Sequence, residues 1–302
     1  MSWLIGLSKR IRLPGFHGQT LYDVLHFLYQ QVRRVGITER TSAISFNFIM
    51  AVPPMIIFLC TLIPYLPISR QFIIQLHGLI RDIIPGENNN KALIKFIDDI
   101  LQHQHYGLLS LGFLLALFYS SNAMMGIMRA FDKNYVGFRK RSVWEKRGTA
   151  LRLTLILFVL IFISIILLIM QGAVLKWIGI EKASIRTVIV NVRWIIIILL
   201  FLASISFIYR NAPFVHKKWK LINPGSLLAT TLMLIFIILF SKWINHFDSY
   251  HKLYGSIGTI LILMLIIYFN SLVLLIGFEL NVTITALRHE ADERDKLRIR
   301  GN

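Results

Sequence analysis

Six stretches of this chain stay apolar for about 20 residues, the length of helix needed to cross the hydrocarbon core of a bilayer. They fall near 41–63, 107–128, 151–170, 188–208, 225–244 and 256–280. They are rich in Ile, Leu and Phe, and none shows the alternation of a strand. Helix is the expected form, because a helix satisfies its own backbone hydrogen bonds where no water is present. Composition supports the same reading: 56% of residues are apolar and 16% charged, against roughly 25% charged in a soluble domain. The single Cys60 excludes an intrachain disulfide framework and a Cys-rich zinc site. No Walker A, GxGxxG, HExxH or GxSxG stretch occurs, so the common nucleotide, zinc-hydrolase and serine-hydrolase signatures are absent.

The basic residues orient the chain. Counting Lys and Arg over alternate connections gives 23 on one side, including residues 1–40 and the tail after 281, and ten on the other. The positive-inside rule then predicts that both termini are cytoplasmic. This distribution also accounts for the net charge of +18. Short basic loops facing one leaflet suit anionic headgroups, whereas nucleic acid would need a continuous basic stripe, and none is evident. The expected partner is therefore the lipid bilayer, with no nucleic acid. Residues 1–40 do not read as a cleavable signal, because Trp3–Leu7 is too short an apolar core and Lys9, Arg10 and Arg12 follow it.

Shorter segments are amphipathic. Leu21, Val24, Leu25, Leu28, Val32 and Val35 recur at helical spacing, which predicts a helix lying along the cytoplasmic interface. In the first external connection, Phe72, Leu76, Leu79, Ile80 and Ile83 form one stripe, and Leu93, Phe96, Ile97, Ile100 and Leu101 another. Pro85-Gly86 and Asn88–Asn90 separate them, so a helical hairpin is expected. The fold class is thus all-α: a polytopic membrane protein with six transmembrane helices, an N-terminal interfacial helix and an external helical hairpin. Its expected organisation is a cytoplasmic segment 1–40, a membrane domain 41–281 and a charged cytoplasmic tail 282–302.

With these landmarks in order, the chain resembles the YihY/BrkB family of bacterial inner-membrane proteins, once filed as ribonuclease BN. The resemblance runs from about Thr41 to Thr283. It rests on Ser45-Phe46 leading to Pro54, Tyr119-Ser120, the passage Tyr209, Pro213, Gly225, and the series Tyr250, Tyr254-Gly255, Tyr268, Gly277, Glu279. Asn47, Ala51 and Pro53 depart from the family's pattern in the first span. The resemblance implies a six-helix inner-membrane protein and no particular activity. The family is associated with serum resistance and suspected transport, and its ribonuclease label is regarded as a misassignment. The residues agree: a nuclease needs metal-binding carboxylates or paired histidines. The candidates, His103 and His105 with Asp98 and Asp99, and His246, Asp248 and His251, all fall on the expected outer face. They are read as solvated loop residues, so neither a metal nor another cofactor is expected.

Three constellations inside the membrane carry candidate function. Pro53-Pro54 removes the helical partners of the Ile49 and Met50 carbonyls, with Asn47 within two turns. This reads either as a discontinuous helix lining a site or as a packed kink. Glu279 is the only acidic residue in an expected span and sits in a last helical turn, where a carboxylate is disfavoured unless paired. It reads as a gate or proton-coupled carboxylate, or as an ion-pair lock with Arg129, Arg152 or Arg210. Tyr254-Gly255, opening the sixth helix, reads as an anion-attracting terminus or as a close helix contact, and Gly277 belongs to the same helix. Trp177, Trp194, Trp219 and Trp243 near span ends read as interface anchors. The function expected is handling or transport of a small or lipidic solute, without covalent chemistry. The alternative is a non-transporting scaffold or envelope-maintenance factor.

Overall fold

In a computed structural model of the chain, the structure describes residues 20–34, 36–65, 94–95, 98, 106–132, 142–177, 183–215, 218–246 and 248–300. All regular elements among them are helical. They are α1 (Leu21–Arg34), α2 (Ile37–Leu62), α3 (Tyr106–Phe131), α4 (Val143–Trp177), α5 (Ala183–Asn211), α6 (Pro224–His246) and α7 (Asp248–Arg300). A single 3-10 turn, Ile63–Tyr65, follows α2. Five apolar helical segments are long enough to cross a membrane: Ile37–Leu62, Tyr106–Phe131, Val143–Ser164, Pro224–Trp243 and Ile260–Glu293. The described apolar part of α5, Ile195–Asn211, is shorter. The expected external hairpin lies outside the described residues, as do His103, His105 and Asp99.

Local sequence sets the helix starts. Thr20 caps α1 through a hydrogen bond from the Asp23 amide (3.2 Å). Ser142 and Glu145 form a reciprocal box at the start of α4, at 3.1 and 3.3 Å. Asn223 does the same with Ser226 for α6: the Ser226 amide donates to Asn223 Oδ1 (2.9 Å), and the Asn223 amide donates to Ser226 Oγ (3.2 Å). Pro224 fills the first helical position, where no donor is lost. Between α1 and α2, Gly36 adopts φ 61°, a left-handed conformation that lets the chain end one helix and begin the next.

Two expected boundaries fall inside helices. α2 begins at Ile37, so Arg40 is a residue of its first turn. α7 continues unbroken to Arg300, through the expected boundary at 281. At 53 residues it is about 80 Å long, well beyond the roughly 30 Å of a hydrocarbon core. The described apolar stripe of α1 packs on this continuation, with Val24 and Leu28 buried against Leu280 and Ile284.

The principal core lies toward the end of the bundle where α1 and the α7 continuation meet, called here the terminal end. It joins Ile44 of α2, Met124 to Phe131 of α3, Ala150 and Leu153 of α4, Ile205 to Ala212 of α5, Ala229 and Met233 of α6, and Leu274 to Val282 of α7. A separate aromatic cluster holds α2, α3 and α4 together nearer the opposite end, around Phe58, Phe113, Phe158 and Phe162.

Candidate functional site

The most polar part of the described core is a junction of three helices. Arg40, in the first turn of α2, and Glu279, on α7, form an ion pair with Nη1 to Oε1 at 2.5 Å. Glu279 is fully buried and Arg40 is buried as well. The second guanidinium nitrogen, Nη2, donates to the Ala130 carbonyl in the last turn of α3. That carbonyl belongs to a helix end whose last carbonyls lack intrahelical partners. One cation therefore neutralises a buried carboxylate and satisfies a neighbouring helix terminus. Arg40 Nε and Thr283 Oγ1 are buried with no hydrogen-bond partner among the described residues.

The expected partners of Glu279 are corrected here. Arg129, Arg152 and Arg210 are all exposed, and Arg40 makes the pair. α2 starts one turn earlier than its apolar run, which brings Arg40 to the depth of Glu279. Arg129, in the last turn of α3, is exposed, whereas Phe131 beside it turns inward. The Phe131 ring stacks on Phe278 at 3.8 Å between centroids.

A second polar cluster fixes α5, α6 and α7. Tyr209 is fully buried, and its hydroxyl donates to the Leu274 carbonyl at 2.6 Å. Asn281 Oδ1 accepts from the Gly225 amide (2.9 Å), and its Nδ2 donates to Asn223 Oδ1 (2.7 Å). Gly225 and Gly277 face each other so closely that a Cβ on Gly277 would lie 2.6 Å from the Gly225 carbonyl and 2.5 Å from the Tyr209 hydroxyl. Small residues let helix backbones approach where lipid supplies no hydrophobic drive. Trp219, read as an interface anchor, instead donates to Thr285 Oγ1 (3.1 Å) and packs on Phe278.

The first-span constellation lies within one helix. α2 runs as one helix through Pro53 and Pro54, so the discontinuous-helix reading is not what the structure carries. Pro54 is buried and Pro53 exposed. The Asn47 side-chain amide donates to the Ala43 carbonyl at 2.6 Å and lies against Gly126. Beside the prolines, Phe48, Ala51, Val52 and Met55 form one wall of a groove of about 200 Å³. Ser120, Ala123 and Met124 of α3 and Thr154, Leu157, Phe158 and Ile161 of α4 complete it. Only Ser120 and Thr154 bring hydroxyls, and that of Thr154 is occupied by the Ala150 carbonyl at 2.8 Å. Such a wall offers dispersion contacts and almost no polar recognition, and Met55 and Met124 are side chains that adapt to irregular apolar guests.

Tyr254 and Gly255 lie within α7, two turns after its start at Asp248, so they do not open that helix. Their surroundings lie outside the described residues. Among the described residues, no three His, Cys, Asp or Glu side chains gather as metal ligands would. Sequence reasoning missed Arg40, Asn223 and Asn281. Asn223-Pro224-Gly225-Ser226 carries a readable N-cap signal, whereas nothing local marks Arg40.

The profile of the family described as Virulence factor BrkB matches residues 28–300. The chain is similar to the ribonuclease-like protein YfkH of Bacillus subtilis, at 27% identity over 277 residues, covering 89% of this chain and 98% of that protein. It is also similar to the UPF0761 membrane protein Smlt0865 of Stenotrophomonas maltophilia, at 30% over 96 residues, or 32% of this chain and 23% of that one. A third relative is the UPF0761 membrane protein PSHAa0171 of Pseudoalteromonas translucida, at 36% over 78 residues, or 26% of each chain. No solved structure matches the chain.

Proposed function

This chain belongs to the Virulence factor BrkB family, and from that premise we propose that it is a bacterial inner-membrane protein with six crossings. In this reading both termini are cytoplasmic, and the protein handles a lipidic or small apolar solute within the bilayer without covalent chemistry. The fourth crossing is α5. Arg40 near the start of α2 touches Glu279 far along α7. Two helices that run in opposite directions and meet at one end call for an even number of crossings, and α5 completes it. The terminal end then faces the cytoplasm, where α1 and the basic connections meet anionic headgroups.

The topology is tested with a reporter active only outside the cytoplasm. Fused at Asn89 it is expected to give signal, and fused at Asn302 to give none. The reverse pattern would overturn the orientation.

The observation that carries the solute reading is the groove between α2, α3 and α4. Its wall is apolar and opens at Phe48 and Ile161, both exposed on helix flanks that would lie in hydrocarbon. An alkyl chain is the guest such a surface suits. A phospholipid with a photoreactive acyl chain, in vesicles holding the full-length protein, is expected to form more adduct on Met55 than on Ile237, an exposed residue of α6. Val52→Trp, which fills the groove, is expected to remove that excess. Equal adducts at the two positions would refute the groove as a binding site. The continuation of α7 favours the scaffold alternative in one respect: its helix runs on past the apolar core to Arg300, with Arg288, His289, Asp292 and Glu293 exposed on it.

A further inference from the structure

We propose that Arg147 anchors a site for the phosphate of an anionic phospholipid, on the surface of the α3–α4 pair near the terminal end. The proposal rests on α3 and α4 crossing the bilayer and not on the groove, since neither Arg147 nor its two partners line it. Arg147 stands in the second turn of α4. Its Nη1 donates to Asn122 Oδ1 of α3 at 2.5 Å, and its guanidinium lies 5.1 Å from the centre of the Phe118 ring. The adjacent Lys146 reaches Asp132 instead, just past the end of α3. Asn122 and Asp132 are about 15 Å apart along the helix axis. Neighbouring cations therefore reach in opposite directions, Lys146 outward and Arg147 inward.

With 26 residues, α3 is about 39 Å long, against about 30 Å of hydrocarbon. Centred in the bilayer, it carries Asn122 about 9 Å inside the hydrocarbon boundary. A long cationic side chain in this position ordinarily snorkels outward to water. Arg147 is held inward by an amide and an aromatic face, both neutral, which orient the guanidinium and leave its charge uncompensated. Among the described residues no carboxylate pairs with it: Asp132 holds Lys146, and Glu145 accepts from the Ser142 amide. Residues 133–141, between the two helices, include no Asp or Glu and four further cations. An ionisable group at this depth calls for a counter-charge, and the lipid can bring one. The Arg147 side chain is only half-buried, and the Phe118 ring beneath it is half exposed. At Gly148, the next residue, an added Cβ would meet nothing within 4 Å, so a headgroup has room. The guanidinium presents five N–H donors in a fork that matches two phosphate oxygens. A lipid phosphate is already tethered at such a surface, whereas a free phosphate would have to leave water to reach it.

The test labels headgroups and not acyl chains, so its failure is distinct from failure of the groove. Full-length protein in phosphatidylcholine vesicles receives a trace of phosphatidylglycerol with a photoreactive group on its headgroup. Adduct is expected on residues 144–148, foremost on Trp144, which lies one turn before Arg147 and is almost fully exposed. Arg147→Gln is expected to lower that adduct roughly tenfold, and Arg147→Lys to lower it less, since a point charge still attracts phosphate. Arg210→Gln, at an exposed cation ending α5, is expected to leave it unchanged. Undiminished adduct in Arg147→Gln, or an equal loss in Arg210→Gln, would overturn the proposal. So would displacement of the adduct by millimolar inorganic phosphate, which would assign the site to a free anion. Should Arg147→Gln fail to fold, the unaltered protein decides. Unlabelled phosphatidylglycerol is expected to compete the adduct away, and diacylglycerol with the same chains to leave it; equal competition by the two would overturn the site.

Discussion

Glu279→Gln is expected to lower the stability of the folded protein by about 3–5 kcal/mol, because it leaves the Arg40 guanidinium buried without its counter-charge. Arg40→Gln should do the same from the other side, and it also releases the Ala130 carbonyl at the end of α3. Both groups lie in the core, so water cannot replace the lost partner unless the packed helices around them part. The two changes should not add, since each destroys the same interaction. Unfolding of the two single variants and the double variant in one detergent measures this directly. A double variant that loses the sum of the single losses would show that Arg40 and Glu279 act independently.

The second large effect is expected at the glycine contact. Gly225→Ala would drive a Cβ into the Gly277 carbonyl and the Asn281 side chain, and Gly277→Ala would drive one against Tyr209 and Gly225. A backbone carbonyl cannot rotate away as a side chain can. The helices must separate, with loss of the Gly225–Asn281 and Tyr209–Leu274 hydrogen bonds. Overpacking of a tight core costs about 1–3 kcal/mol, occasionally more, and the lost hydrogen bonds add to it. The matched control is Gly148, where an added Cβ meets nothing within 4 Å. There the change to Ala should be neutral or stabilising by up to about 1 kcal/mol, from helix propensity alone. Thermal unfolding of the three variants side by side decides the matter. If Gly225→Ala melts with Gly148→Ala, the close approach of α6 and α7 is not what holds them.

The ion pair and the glycine contact belong to different levels of legibility. Gly277 and Glu279 were both readable as unusual residues in an apolar run. A carboxylate there demands a cation, and a glycine within a helix wants a reason. Neither demand names its partner. Arg129, Arg152 and Arg210 stood at the right depth along the chain, yet their side chains are exposed, while Arg40 faces α7. A helix turns by about 100° per residue, so a small shift in its start or rotation selects a different cation. The Pro53-Pro54 pair shows the same division: its chemistry frees two carbonyls, but whether the helix breaks depends on its neighbours, and α2 runs on unbroken.

The amino-acid sequence by itself determined the all-helical class, five membrane-length segments and family membership; it also carries the caps at Thr20, Ser142 and Asn223, which none of the expectations above named. These are local properties: hydrocarbon asks each segment in turn for about 20 apolar residues, and a cap is settled within four positions. The tertiary structure alone decided that Arg40 meets Glu279, that Asn281 reaches Gly225, that α1 lies on α7, and that α2, α3 and α4 leave a groove between them. In lipid the apolar surfaces of helices are nearly interchangeable partners. Which faces meet is set by a few polar pairs and glycines acting across more than 50 residues of chain, a distance over which no local pattern in the sequence speaks.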